Sequence, residues 1–566
     1  MGAKRRATTR SSGGDPSSSR PANDGNGDDS KQEEDVRAYT RNRLVRVVAV
    51  QVLVVLGALL FQRVVWTPSP QHHRGGGGRR EGSSTSSFSA TNIAPCGLLP
   101  TSRFRVFSTR VVTPEGTIPA TIEVEDGRIA SVERGRRDAS SALASEFLDY
   151  GDLVISPGLI DLHVHVNEPG RETWEGFATA TRAAAAGGVT TLFDMPLNSK
   201  PAATTAAILA NKMRVARDKV AVDVGFWGGL VPENSGARGG NRRELLRMLQ
   251  AGAVGFKAFM SPSGIDDFGN ASAADLESGL RVLSPFSRPL MVHAELLFEV
   301  ESVGEESSPR AYATYAGTRP GDFEADAVSA LIGVSKGLAA EGVAHKIHVA
   351  HVSEASVLRD VRLHRTRAAL AASGSHFTTE TCPHYLYFEA EGVPDGATQY
   401  KCAPPIRTRS NRRALWGELR EGAINTIGSD HSPSPPGLKH LDTGDFLKAW
   451  GGIAGLQYSL PATWTAAREF GASIEDLAEW WSYGPAAVAG LTDRGTIAEG
   501  KKADFVVWSA EAKALTSRED NFHRHKVSPY AGQDMLGRVE ATFVSGNLVF
   551  SKGEATGDVC GRILRL

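Results

Sequence analysis

The pair His163-x-His165 is the first arrangement in this 566-residue sequence whose residue types and spacing suit chemistry. It ends an apolar run that begins at Leu159 and Ile160. Alternate residues of a strand face one side, so both imidazoles can point together and hold one metal ion. A single histidine is more often a core or surface residue, and the pair alone leaves the ordinary reading open beside the metal-binding one. Lys257 lies inside another apolar run, Val254 to Met260, where an unpaired ammonium is costly. Either a nearby carboxylate pairs with it, or it is a neutral amine that reacts with carbon dioxide. The resulting carbamate has two oxygens able to bridge two metals. His293, His351 and Asp430 each follow a short apolar run, as residues at the upper end of a strand do. The order H-x-H, K, H, H, D across separate strands is hard to obtain by chance.

Neighbouring residues receive lesser roles. His348 stands three residues before His351 and is expected to face away from it. His384 and His431 are expected to hydrogen-bond to ligands, and Glu295 and Asp194 to brace them. No G-x-S-x-G elbow is present, so nothing suggests a serine nucleophile.

These residues must be positioned by strands. Eight strand candidates end near Val166, Met195, Trp227, Phe259, His293, Val352, Thr381 and Asp430, and helical stretches alternate with them. That pattern predicts an α/β fold, a (β/α)8 TIM-like barrel over 157–494 with its site at the C-terminal ends of the strands. Short β-type runs over 103–156 and 495–566, with a hairpin signal at Glu125-Asp-Gly127, predict a small β-sandwich built from both flanks. Residues 1–43 read as a disordered tail and 67–102 as a Gly/Ser/Arg-rich tether.

Between them, 44–66 is an apolar stretch interrupted by Arg46 and Gln51, shorter than the roughly 20 residues of a comfortable span. Arg37, Arg41 and Arg43 precede it, which favours a cytoplasmic N-terminus. A transmembrane signal anchor with a luminal catalytic domain, in the endoplasmic reticulum or another endomembrane, is the expectation. A cleaved signal peptide and a buried helix are the competing readings. Asn270-Ala-Ser272 is a possible glycosylation acceptor. Net charge is -1, which gives no reason to expect nucleic acid as a partner. The four cysteines, Cys96, Cys382, Cys402 and Cys560, are too sparse for a disulfide scaffold and are expected as buried thiols. A Cys382–Cys402 bridge is geometrically conceivable.

Over about residues 104–555 the sequence resembles the cyclic-amidohydrolase branch of the amidohydrolase superfamily, which includes dihydroorotases, dihydropyrimidinases and allantoinases. The resemblance implies that His163, His165 and Asp430 hold a first zinc. It implies that His293 and His351 hold a second, with N6-carboxylated Lys257 bridging. Where dihydroorotases carry a carboxylate-binding Arg this sequence has Asn167, and where dihydropyrimidinases carry an oxyanion-stabilising Tyr it has Pro262. The stretches 167–177, 194–198, 401–407 and 446–452 are similar to the allantoinases. The implied chemistry is ring opening of allantoin to allantoate by a metal-activated hydroxide, with Asp430 as the catalytic proton carrier. Asn167, Asn198 and Ser261 are candidate substrate contacts. A homo-oligomer, such as the tetramers common among such enzymes, is also implied by the resemblance. Imidazole, carboxylate and carbamate donors would also accept other divalent metals.

Overall fold

The computed structural model describes Cys96, Leu99 and residues 102–137, 146–300 and 307–566. Eight parallel strands form its centre: β1 (Leu159–Val164), β2 (Val189–Asp194), β3 (Asp223–Phe226), β4 (Phe256–Phe259), β5 (Pro289–His293), β6 (Lys346–Val349), β7 (His376–Thr381) and β8 (Thr426–Ile427). The ladders run β1-β2-β3 and β4-β5-β6-β7-β8. Gly228–Gly229, just beyond β3, pairs with β4, and Val164 bridges to His431 beyond β8, which closes the ring. The α/β barrel expected from alternating strands and helices is therefore present.

Helices occupy the crossovers because their sequences start and stop cleanly. Ser272 caps Ala273–Leu283: its side chain accepts from Asp275 N, while Asp275 Oδ2 accepts from Ser272 N at 2.9 Å. The face buried by that helix is Leu276, Leu280 and Leu283, at helical spacing. Asn270, the possible glycosylation acceptor, is exposed in the loop just before it. Inside the barrel Ile160, Leu162, Phe193, Trp227 and Met291 pack into one cluster.

The two flanks fold together through one continuous nine-stranded sheet to which both contribute strands. Phe505–Lys513 pairs antiparallel with Val154–Pro157, which itself pairs with Arg103–Thr113. One core is shared by both halves, with Phe543 stacked on Phe505 at 4.5 Å and on Phe104 at 5.6 Å. The sheet is continuous because Val154–Pro157 leads directly into β1 and pairs on both of its edges.

Two expectations are corrected. Cys96 and Cys560 form a disulfide across 464 residues, and only Cys382 and Cys402 are free, buried thiols. Sequence spacing gave no sign of that pairing, because only the folded sheet brings residue 96 beside the tail. The tail itself lies along the barrel: Val224 N donates to Arg562 O at 2.9 Å and Leu564 N to Val224 O at 2.8 Å. The second correction concerns the single-pass luminal enzyme with a membrane partner. Among the described residues no helix is long and apolar enough to cross a membrane. The stretch 44–66 on which that reading rested lies outside the described residues, as do 1–43 and most of 67–102.

Candidate metal centre and active site

At the upper end of β1, His163 and His165 face the same side, with ring centroids 5.6 Å apart. Each has one ring nitrogen committed. His163 Nδ1 lies 2.7 Å from Glu380 Oε1, and His165 Nδ1 lies 2.9 Å from the Leu197 carbonyl. A carbonyl can only accept, so His165 Nδ1 carries the hydrogen and Nε2 presents its lone pair. The same holds for His163, because Glu380 is ionised. Although burial works the other way, His163 and His348 bring the Glu380 carboxyl down to about 2. Both Nε2 atoms then converge on Asp430 Oδ1, at 3.4 and 3.5 Å. Burial would raise Asp430, yet the facing His163, His165 and His351 hold it well below the usual carboxylate range.

Three potential ligand atoms therefore meet at one point. Donor atoms bound to one tetrahedral ion at about 2.1 Å sit about 3.4 Å apart, so the spacing fits a shared divalent cation. His163, His165 and Asp430 form a buried candidate metal-binding group.

A second set adjoins it. Lys257 Nζ, on β4, lies 3.4 Å from His163 Nε2. Burial pushes its pKa down to about 8, against the pull of Asp430 and Glu380. His293, ending β5, commits Nε2 to Glu295 at 2.6 Å, and Arg319 in turn holds Glu295 at 2.5 and 3.1 Å. Phe259 stacks on the His293 ring at 4.5 Å. His351 stands 4.5 Å from His293 and 5.3 Å from His163 between ring centroids, and its buried Nδ1 has no hydrogen-bond partner. Burial, then His293 and Lys257, hold His351 well below the ordinary histidine range, and burial also lowers His163 and His293. His163, His293 and His351 are thus shifted towards the neutral form and Asp430 towards the ionised one, which are the forms that bind metal.

Backbone strain marks two of these positions. His351 and Asp430 have φ of 39° and 41°, in the left-handed region, just past the ends of β6 and β8. Asp161 Oδ1 accepts from His163 N at 3.0 Å and from Ser429 N at 3.1 Å, fastening the first strand to the last. Asp194 receives Val166 N at 3.0 Å and lies 2.8 Å from Lys212 Nζ, so it braces the chain after His165.

The site opens into a cavity of about 340 Å³. Its walls include Asn198, Phe259, Pro262, Tyr315, Lys401 and Trp450. Arg319 also lines it, but its guanidinium is spent on Glu295. Lys401 Nζ donates to Ala449 O at 2.7 Å and to Leu447 O at 3.2 Å. Of the three expected substrate contacts, Asn198 lines the cavity. Asn167 (φ 70°) is fully buried and donates from Nδ2 to Pro433 O at 3.2 Å, and Ser261 is buried; neither lines the cavity.

His348 corrects its expectation. It faces the barrel interior, 2.8 Å from Thr378 Oγ1 and 3.7 Å from Glu380. The strand ends at Val349, and the left-handed turn at His351 breaks the alternation on which the expectation rested. His431 accepts from Leu456 N at 3.4 Å and faces Glu175, and its carbonyl accepts from His165 N at 2.8 Å. His384 is buried with neither ring nitrogen hydrogen-bonded. Sequence reasoning gave no role to Asp161, Glu380, Arg319, Tyr315, Lys401 or Trp450. For Glu380 a signal existed: a carboxylate inside a strand-like run.

An α/β barrel carrying this donor set at the upper ends of its strands defines the class, and comparison with known proteins agrees. The model of the amidohydrolase family matches residues 154–293 and 333–549, and the chain belongs to that family. Within it the chain belongs with the allantoinases: an allantoinase composite domain matches residues 99–153. It is 44% identical to an allantoinase of Arabidopsis thaliana over 83% of this chain and 92% of that one. It is also 44% identical to an allantoinase of Streptomyces avermitilis, over 81% and 97%. Among solved structures, L-hydantoinase (dihydropyrimidinase) from Arthrobacter aurescens superposes with a TM-score of 0.72 at 28% identity, covering 82% of this chain and 100% of that one.

Proposed function

We propose that this enzyme is a metal-dependent cyclic amide hydrolase that opens the hydantoin ring of allantoin to give allantoate. The observation that carries the chemistry is the convergence of two imidazole lone pairs and one carboxylate oxygen, 3.4 and 3.5 Å apart, in a buried pocket. The substrate follows from the allantoinase relatives.

In this reading His163, His165 and Asp430 would hold one divalent ion, zinc by preference, and His293 and His351 would hold a second, with a carboxylated Lys257 contributing its carbamate oxygens. The orphaned Nδ1 of His351 and the depressed pKa of Lys257 support that arrangement, since a neutral amine is the form that takes up carbon dioxide. Bound there, the pair of ions would supply water ionised near neutral pH and polarise the scissile carbonyl. The protein does the rest. The Asp430 carboxylate takes the proton from the attacking water and returns it to the ring nitrogen as the C–N bond breaks. The Ser432 hydroxyl donates to Asp430 Oδ1 at 2.9 Å and keeps that carboxylate aimed. Asn198 offers an amide to the ureide groups from the cavity wall. Among the described residues no unspent guanidinium lines the cavity for a carboxylate, and Pro262 stands where an oxyanion-binding Tyr would mark a dihydropyrimidinase. The test is turnover of allantoin, dihydrouracil and dihydroorotate side by side, with metal content measured on the same sample. Preference for dihydrouracil, or activity without bound metal, would sink the proposal.

A further inference from the structure

The barrel has a second cavity, of about 350 Å³, at the opposite end from the metal centre. That volume lies within the range of small-molecule sites, about 300–1,000 Å³. None of the six donor residues lines it. Its polar side comes from the first residues of neighbouring strands in register: Pro289 of β5 opposite Lys346 of β6, and Lys346 opposite His376 of β7. Trp480 and Val488 supply an apolar wall.

Lys346 is half-buried there. Burial and the neighbouring Arg288 hold it below the ordinary lysine range, and no carboxylate among the described residues pulls it back. Glu479, also in the wall, makes no ion pair with it. Among the described residues this partly desolvated ammonium, facing open volume, has no charge-assisted partner of the kind such groups normally have. The cavity also touches a line of side chains that reaches the metal centre. Thr378 in its wall lies 2.8 Å from His348 Nδ1, and His348 Nε2 lies 3.7 Å from Glu380 Oε2. The other oxygen of Glu380 is 2.7 Å from His163 Nδ1.

We propose that this lower cavity is a second small-molecule site. It takes a small organic anion with an apolar ring, the charge on Lys346 and the ring against Trp480. Its occupancy is felt at the metal centre through Thr378, His348 and Glu380. A carboxylate would give Lys346 its missing partner, and a flat ring suits the apolar wall.

The test uses the full-length, metal-loaded enzyme with benzoate as probe and benzamide as its uncharged counterpart. Binding is read by saturation-transfer NMR, independently of activity. Benzoate is expected to bind at least about tenfold more tightly than benzamide, the worth of one charge-assisted hydrogen bond. Lys346→Met should lose that preference while keeping the parent's melting curve. Val488→Phe, which fills the cavity, should lose binding altogether. Benzoate should change allantoin turnover without being displaced by allantoin, and Thr378→Val should still bind benzoate but lose the change in turnover. Equal binding of the two probes, or unaltered binding to both Lys346→Met and Val488→Phe, would overturn the site. Full displacement of benzoate by allantoin would do the same. Binding with no effect on turnover would overturn the coupling.

Discussion

Two imidazole nitrogens and a carboxylate oxygen, all lone-pair donors, are held against one another by hydrogen bonds made on their far sides. Glu380 and the Leu197 carbonyl fix the histidine tautomers, and Ser432 fixes the carboxylate. Asp430→Asn should lower turnover by about 10²–10⁴-fold, the usual worth of a positioned proton carrier; circular dichroism checks that the fold survives. Glu380→Gln should weaken metal affinity by about 10–100-fold, because an amide no longer selects the right tautomer of His163. Titration with a competing chelator measures it. The six proposed donors were legible in the sequence because five are polar residues at the end of an apolar run and Lys257 is a lone cation inside one. Glu380 and Asp161 were not, since a carboxylate inside a strand looks the same whether it braces a ligand or pairs with a lysine. Tyr315 comes from the short helix Tyr312–Gly317, and Arg319, Lys401 and Trp450 from connecting segments; spacing along the chain says nothing about where such segments return.

At the scale of elements, strand ends were readable while side-chain direction was less so. His348 was misjudged because strand alternation stops where the backbone of His351 turns left-handed. Close packing between strands leaves little room for change. A Cβ on Gly225 of β3 would stand 2.2 Å from the Phe193 ring of β2. Gly225→Ala should therefore cost about 1–3 kcal/mol, as overpacked cores do, measured by denaturant unfolding. The helix Leu358–Arg365 carries a different sensitivity. Burial first, then the charges of Lys336 and Arg367, bring His364 down to about 4. Its contribution to stability is complete above about 6.5, the ordinary histidine value. As pH falls from there towards 4 the unfolded chain takes up the proton first, and stability declines. His364→Gln should flatten that part of the stability–pH curve.

The whole molecule is tied together at its flanks. Reducing the Cys96–Cys560 bond, or replacing Cys560 by Ser, should lower stability by about 2–5 kcal/mol. Thermal melts with and without reductant test this. Removing metal with a chelator should abolish allantoin turnover while leaving the flanking sheet folded, and adding zinc back should restore it. That the two flanks meet was legible from their matching β texture. Their fusion into one sheet and the cysteine pairing were not, since both are long-range events.

The pairing of residues 562–564 with β3 has a consequence for synthesis. Strands separated by more than 300 residues are neighbours in this fold, so a chain emerging from the ribosome has its active-site histidines exposed long before their wall is complete. The outer sheet likewise waits for residues 505–513 to reach Val154–Pro157. The wall and the outer sheet are therefore completed late, and a nascent chain stalled before residue 505 should hold the barrel sequence in a protease-sensitive, metal-free state.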